Sequence, residues 1–136
     1  MKAALLALFF FQATDLPLVQ PKELVARLDA KPAIFHVGPN VLYRSKHIPG
    51  AVYAGPGQKP EGLAMLRAAV ANLPRSREIV IYCGCCPWDR CPNVKPAFAV
   101  LKKMGFTNAK VLYVEKNFAD DWIFKSYPVE NGVPLH

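Results

Sequence analysis

Short apolar runs alternate with helix-patterned segments along most of this chain, and that alternation limits the fold more than any other feature. Glu78 to Tyr82 reads EIVIY, a short β-branched run and the clearest strand. Ala33 to Val37 is a second apolar run, closed by Gly38-Pro39, as a buried strand would be. Lys110 to Val114 reads as a third, and Tyr127-Pro128-Val129 suits an edge strand. The segments between them follow a helical period. Pro21 to Ala30 opens on proline and lines up Leu24, Val25 and Leu28. Leu63, Leu66, Val70 and Leu73 share one face. Val94 to Met104 is followed by Gly105 as its cap, and Phe118 to Lys125 forms a last helix. Asn40 to Gly57 reads as a turn-rich connection. Strands separated by helices need crossovers, so the expected fold is α/β with a mainly parallel sheet. Ligands bind such sheets at the carboxyl ends of the strands.

A chain of 136 residues, 52% hydrophobic and 20% charged, can bury a core without disulfide staples and holds one domain. The net charge of +7 is spread out, with Lys102-Lys103 its densest point. No basic stripe interleaves with aromatics, so no nucleic-acid partner is expected, although the field attracts small anions. Met1 to Ala13 reads MKAALLALFFFQA, one lysine before an apolar run, the layout of a secretory signal peptide. The run is shorter than the ~20 residues of a spanning helix, so no membrane span is expected. On this reading residues 1–13 are an export signal and 14–136 a single domain, periplasmic or extracellular. The other reading is an N-terminal core helix of a cytoplasmic protein. Export would place the cysteines in an oxidising compartment.

All four cysteines, Cys83, Cys85, Cys86 and Cys91, fall within nine residues, between the EIVIY strand and the next helix. A loop entering a helix offers unpaired backbone N–H groups and the positive end of the helix dipole. Both favour a thiolate, and Arg90 and Lys95 add positive charge. The pattern points to a nucleophilic cysteine facing an anionic substrate.

His47-Ile48-Pro49-Gly50-Ala51 matches the HIPGA signature of rhodanese-like domains. Ile79 to Cys83 is similar to the strand that delivers that family's cysteine. Gly105-Phe106, Trp122 and Tyr127-Pro128-Val129 resemble its GF turn and its C-terminal ending. The resemblance runs from about Leu16 to Glu130, nearly a whole domain. It implies a rhodanese-like α/β fold with about five mainly parallel strands and helices on both faces. It also implies a sulfurtransferase, in which a loop cysteine takes sulfane sulfur from a donor such as thiosulfate. The sulfur is held as a persulfide and passed to cyanide or a thiol. The partners implied are therefore a small anionic sulfur donor and a thiol acceptor, and no cofactor is expected. The matching nucleophile is Cys83, with Gly84, Cys86, Trp88 and Arg90 of its loop around the substrate.

The chain departs from the family pattern in three places. The usual Asp-x-Arg after the first core strand is His36-Val37-Gly38, the Glu before HIPGA falls at Leu42, and the cysteine loop is longer. Four residues separate Cys85 from Arg90, the family's usual spacing, whereas six separate Cys83 from Arg90. Cys85 is therefore a second candidate nucleophile. Phosphatase-type loops need five residues between Cys and Arg, which would put the cysteine at Gly84 and argues against phosphoryl chemistry.

Two other readings of the cysteines stand beside sulfur transfer. The Cys83/Cys85/Cys86/Cys91 cluster could act as a thiol–disulfide switch, in which Cys83 or Cys86 pairs with Cys91 and Cys86 and Cys91 are the candidate redox partners. The spacing C-x-C-C-x4-C is too compact for an ordinary zinc site, although soft thiolates hold Cu(I) with fewer ligands. The fold could then serve as a non-catalytic binding or metal-carrying module, but no metal ligand is assigned. His36 and His47 read as satisfied core residues. Trp88 reads as a lid on the domain or a wall shaping donor access. Asn93 reads as an N-cap.

Overall fold

The computed structural model describes residues 16–132, so the segment read as an export signal lies outside the described residues. The described residues form five strands: β1 (Leu18–Val19), β2 (Ala33–His36), β3 (Val52–Tyr53), β4 (Ile79–Tyr82) and β5 (Ala109–Leu112). The helices are α1 (Pro21–Ala26), α2 (Asn40–Ser45), α3 (Pro60–Val70), α4 (Val94–Lys103) and α5 (Phe118–Asp121). Short 3-10 turns follow α1 and α5, at Leu28–Ala30 and Ile123–Lys125. The sheet order is β1-β5-β4-β2-β3, and every strand pair is parallel.

The sheet is covered on both faces, which explains why β4 is apolar throughout rather than alternating. Ile79, Ile81 and Cys83 point into one core with Leu66 and Val70 of α3 and Val94, Ala97, Phe98 and Leu101 of α4. Val80 and Tyr82 point into the other, with Leu24 of α1, Tyr43 of α2, and Phe118 and Trp122. Period-2 alternation along β4 therefore places Cys83 on the α3/α4 side as the strand ends. Its partner β2 is in register from Ala33↔Ile79 to His36↔Tyr82, so His36 ends level with the residue before Cys83.

The structure corrects the expected elements in four places. The stretch Asn40–Gly57 holds α2 and β3; each is too short to show a hydrophobic period. Leu18–Val19 forms an edge strand on β5, again only two residues long. The helix starting at Pro21 ends at Ala26, and its chain reaches a left-handed residue at Lys31 (φ 53) through a 3-10 turn. Tyr127-Pro128-Val129 is not a strand. Pro128 lacks an N–H, its carbonyl accepts from Trp122 Nε1 at 2.8 Å, and only Glu130 pairs, in one antiparallel bridge with His47. Gly105 does stop α4, with φ +92 and its N–H on Lys102 O, while the Phe106 N–H reaches Leu101 O. Among the described residues no helix is long and apolar enough to cross a membrane.

Candidate active site

The cysteine loop leaves the carboxyl end of β4 between two glycine contacts. Gly38 packs on the carbonyl of Cys83 so closely that any Cβ there would overlap it. Gly84 has φ +79, a left-handed conformation that favours glycine, and lies against His36 Nε2. The loop then runs over the domain rather than into solvent. The Trp88 N–H donates to Val114 O at 2.9 Å, and the half-buried indole packs on the α3/α4 core. The Arg90 N–H closes a turn on Pro87 O at 3.1 Å, returning the chain to Cys91 at the foot of α4.

That path gathers all four sulfurs within 4.8 Å of one another. Cys83 Sγ lies 2.9 Å from Cys85 Sγ and 4.0 Å from Cys86 Sγ, and Cys85 and Cys86 are 2.6 Å apart. All four are free cysteines; Cys83 and Cys91 are buried and the other two half-buried. A single short loop thus brings four sulfurs together, which its compact spacing argued against.

The sulfurs differ in acidity because their surroundings differ. The Cys83 thiol is pushed well above its ordinary value by the neighbouring Cys91 sulfur, by burial and by Cys85. Burial first, then Cys85, pushes Cys86 up to about 12. Cys91 is lowered to about 6 by the neighbouring Cys83 thiol and the backbone N–H groups of Asn93 and Val94, against its burial. Negative charge is therefore favoured on Cys91, by the Cys83 thiol first and by the start of α4 second, while Cys83 favours its protonated form.

Asn93 is the site residue that sequence reasoning missed. It stands at the N-cap position of α4, yet its side chain makes no capping bond. It is buried instead, donating Nδ2 to Cys83 Sγ at 3.6 Å and accepting the Gln58 N–H on Oδ1 at 3.0 Å. Its position after Cys-Pro in the cysteine loop was the available signal. Arg90 is exposed and forms no ion pair among the described residues.

His36 is fully buried, and burial, with the nearby His47, lowers it to about 4. Its Nδ1 accepts the Gly38 N–H at 3.2 Å, so the proton sits on Nε2, which has no partner among the described residues. His47 is a turn holder: it bonds Tyr43 O at 2.8 Å and stacks on the Tyr43 ring. Neither histidine bonds a cysteine among the described residues.

The model of the rhodanese-like domain matches residues 20–116, most of the chain. The chain belongs to the rhodanese-like domain family. Solved structures share its fold. The Alr3790 protein of Anabaena sp. is 20% identical, with 85% of this chain and 94% of that one covered and a TM-score of 0.64. The BH2092 protein of Bacillus halodurans is also 20% identical, with 85% and 77% covered and a TM-score of 0.64. A thiosulfate sulfurtransferase of Pseudomonas aeruginosa is 21% identical over 87% of this chain, with a TM-score of 0.63; the match spans 21% of that longer protein. No curated protein matches the chain. This rhodanese-like domain therefore has the general fold of sulfurtransferases, with its four-cysteine loop at the end of β4.

Proposed function

We propose that this rhodanese-like domain is a sulfurtransferase that carries sulfane sulfur as a persulfide on Cys83. The observation that supports it best is the pairing of a buried thiol at the carboxyl end of β4 with a Cys91 sulfur favoured as thiolate by that Cys83 thiol first and then by the Asn93 and Val94 N–H groups. The likeness to a thiosulfate sulfurtransferase supports the donor class.

The chemistry divides between the two sulfurs. Cys83 attacks the sulfane sulfur of thiosulfate while its proton passes to the Cys91 thiolate. The new bond is Cys83 S–S, the bond broken is that of thiosulfate, and sulfite leaves with the electron pair. An acceptor thiolate or cyanide then attacks the outer sulfur of the persulfide. Cys83 leaves with the S–S bonding pair and takes the proton back from Cys91. The Asn93 amide and the α4 N-terminus stabilise charge on both sulfurs. Arg90 at the exposed rim suits the attraction of an anionic donor, and Gly84, Cys86 and Trp88 line its approach. Cys85, half-buried beside Cys83, is the second candidate carrier.

The test is intact mass of the reduced protein before and after thiosulfate, with mapping of the loop peptide. One added sulfur on Cys83 is expected. A gain on Cys85 moves the carrier and keeps the function, and no gain on any cysteine overturns the reading.

A further inference from the structure

We propose that Cys83, Cys85, Cys86 and Cys91 also form a binding site for one thiophilic d10 cation, Zn(II) or Cu(I). This goes beyond sulfur transfer and does not depend on it. All four Sγ atoms lie within 4.8 Å of one another, and among the described residues the cluster contains no histidine or carboxylate. An all-sulfur donor set selects soft ions and disfavours magnesium and calcium.

The geometry is close to what such an ion needs. Metal–sulfur bonds of about 2.3 Å in a tetrahedron put the sulfurs about 3.8 Å apart. Cys83 and Cys86 are already 4.0 Å apart. Cys85 sits closer, at 2.9 and 2.6 Å from its neighbours, and must swing outward by about 1 Å to reach that spacing. It is half-buried, on the open side of the cluster, where such a swing meets least resistance. The buried pair is held from below: Cys83 by β4 and its contact with Gly38, Cys91 by the start of α4. The cluster therefore has a fixed floor and an adjustable mouth.

Binding involves no electron transfer. Each coordinating sulfur that carries a proton releases it to solvent as its bond to the ion forms. Four sulfurs around Zn(II) give a site of charge −2. Three around Cu(I), with Cys85 left out, give the same charge. In either case Cys83 is a ligand, so an occupied site cannot load sulfur, and the ion acts as a reversible block on the chemistry of the loop.

The experiment uses the full chain, reduced and kept anaerobic, with Zn(II) or Cu(I) supplied separately against a competing chelator. Ions per chain are measured after desalting, and alkylation of each cysteine is mapped with and without the ion. One ion per chain is expected, with Cys83, Cys86 and Cys91 protected, and protection of Cys85 separates Zn(II) from Cu(I). Loss of a merely orienting group costs metal sites about 10- to 100-fold in affinity, so Cys86→Ser and Cys91→Ser should each weaken binding about a hundredfold or more. No retained ion, an unchanged alkylation map, or folded variants with wild-type affinity would overturn the proposal. The alkylation map needs no variant and decides the matter if the variants do not fold. Sulfur loading of ion-free protein is measured separately, so failure of one reading is not mistaken for failure of the other.

Discussion

Asn93 Nδ2 donates to Cys83 Sγ across 3.6 Å, while Oδ1 of the same amide accepts the Gln58 N–H at 3.0 Å. One buried side chain thus ties the thiol at the end of β4 to the turn that leads into α3. Removing it takes away the acceptor of the Gln58 N–H, a part-buried hydrogen bond worth about 0.5–1.5 kcal/mol. Asn93→Ala should therefore lower stability by about that amount and slow sulfur loading. Asn93→Asp keeps an acceptor for Gln58 but sets a carboxylate beside the sulfurs, which disfavours their charged forms. It should lose at least as much stability as Asn93→Ala, because a buried carboxylate with no cation beside it among the described residues is costly, and it should also load sulfur slowly. Denaturant unfolding and the rate of mass gain with thiosulfate separate the two effects. Wild-type loading in both variants would deny the amide any part in the chemistry.

Two glycines with nearly the same backbone provide an internal comparison. Gly50 and Gly84 have φ +80 and +79, but nothing lies within 4 Å of a Cβ at Gly50. At Gly84 the Cβ would meet the buried His36 ring. Gly50→Ala should cost only the backbone strain, about 1 kcal/mol. Gly84→Ala adds a steric conflict and should cost about 2 kcal/mol more, together with loss of sulfur loading as the loop shifts. Thermal unfolding of the two variants reads the difference directly, and equal losses would mean that the loop yields without disturbing His36.

The burial of His36 has a defined pH consequence. In the unfolded chain it titrates near 6.5, whereas in the fold it stays neutral down to about 4. Between those values the unfolded chain binds more protons, so stability rises with pH. The His36 contribution is complete above 6.5 and is lost as the pH falls toward 4. Full burial leaves little solvent screening, and the loss between about pH 7.5 and about pH 4.5 is about 2–3 kcal/mol. Urea unfolding across this range should show the decline, and His36→Gln should show a flatter one. Parallel declines would assign the acid sensitivity to other groups.

Much of this architecture could be read from local pattern. The EIVIY run, the helix beginning at Val94 and the Gly105 stop each report their own conformation, and together they place the cysteine loop at a ligand-binding sheet end. The gathering of the sulfurs could not be read that way. It depends on two irregular turns, at Gly84 and from Pro87 to Arg90, which show no period, and on the Trp88 N–H on Val114 O, which joins segments distant in sequence. The low pKa of Cys91 depends in the same way on the position of the Cys83 thiol and then on where the Asn93 and Val94 N–H groups point. Spacing to Arg90, which brought Cys85 forward as a nucleophile, says nothing of either. α2 and β3 stayed hidden for a plainer reason: six residues and two residues are too few to show a period.

Cys91→Ser gives the sharpest division of labour within the loop. Serine can still accept the Asn93 and Val94 N–H groups, but its hydroxyl does not ionise near neutral pH. If Cys91 takes the Cys83 proton during attack, its loss removes a positioned base, an effect of about 10²–10⁴ in rate. Sulfur should still end on Cys83, because the carrier is intact, but the mass gain should come far more slowly than in the wild type. Cys83→Ser should abolish that gain. The comparison is the rate of mass gain at saturating thiosulfate, with the loop peptide mapped at the end of the reaction. A Cys91→Ser protein that loads at the wild-type rate would take the proton transfer away from Cys91, leaving Cys83 to be activated by the Asn93 amide and the N-terminus of α4 alone.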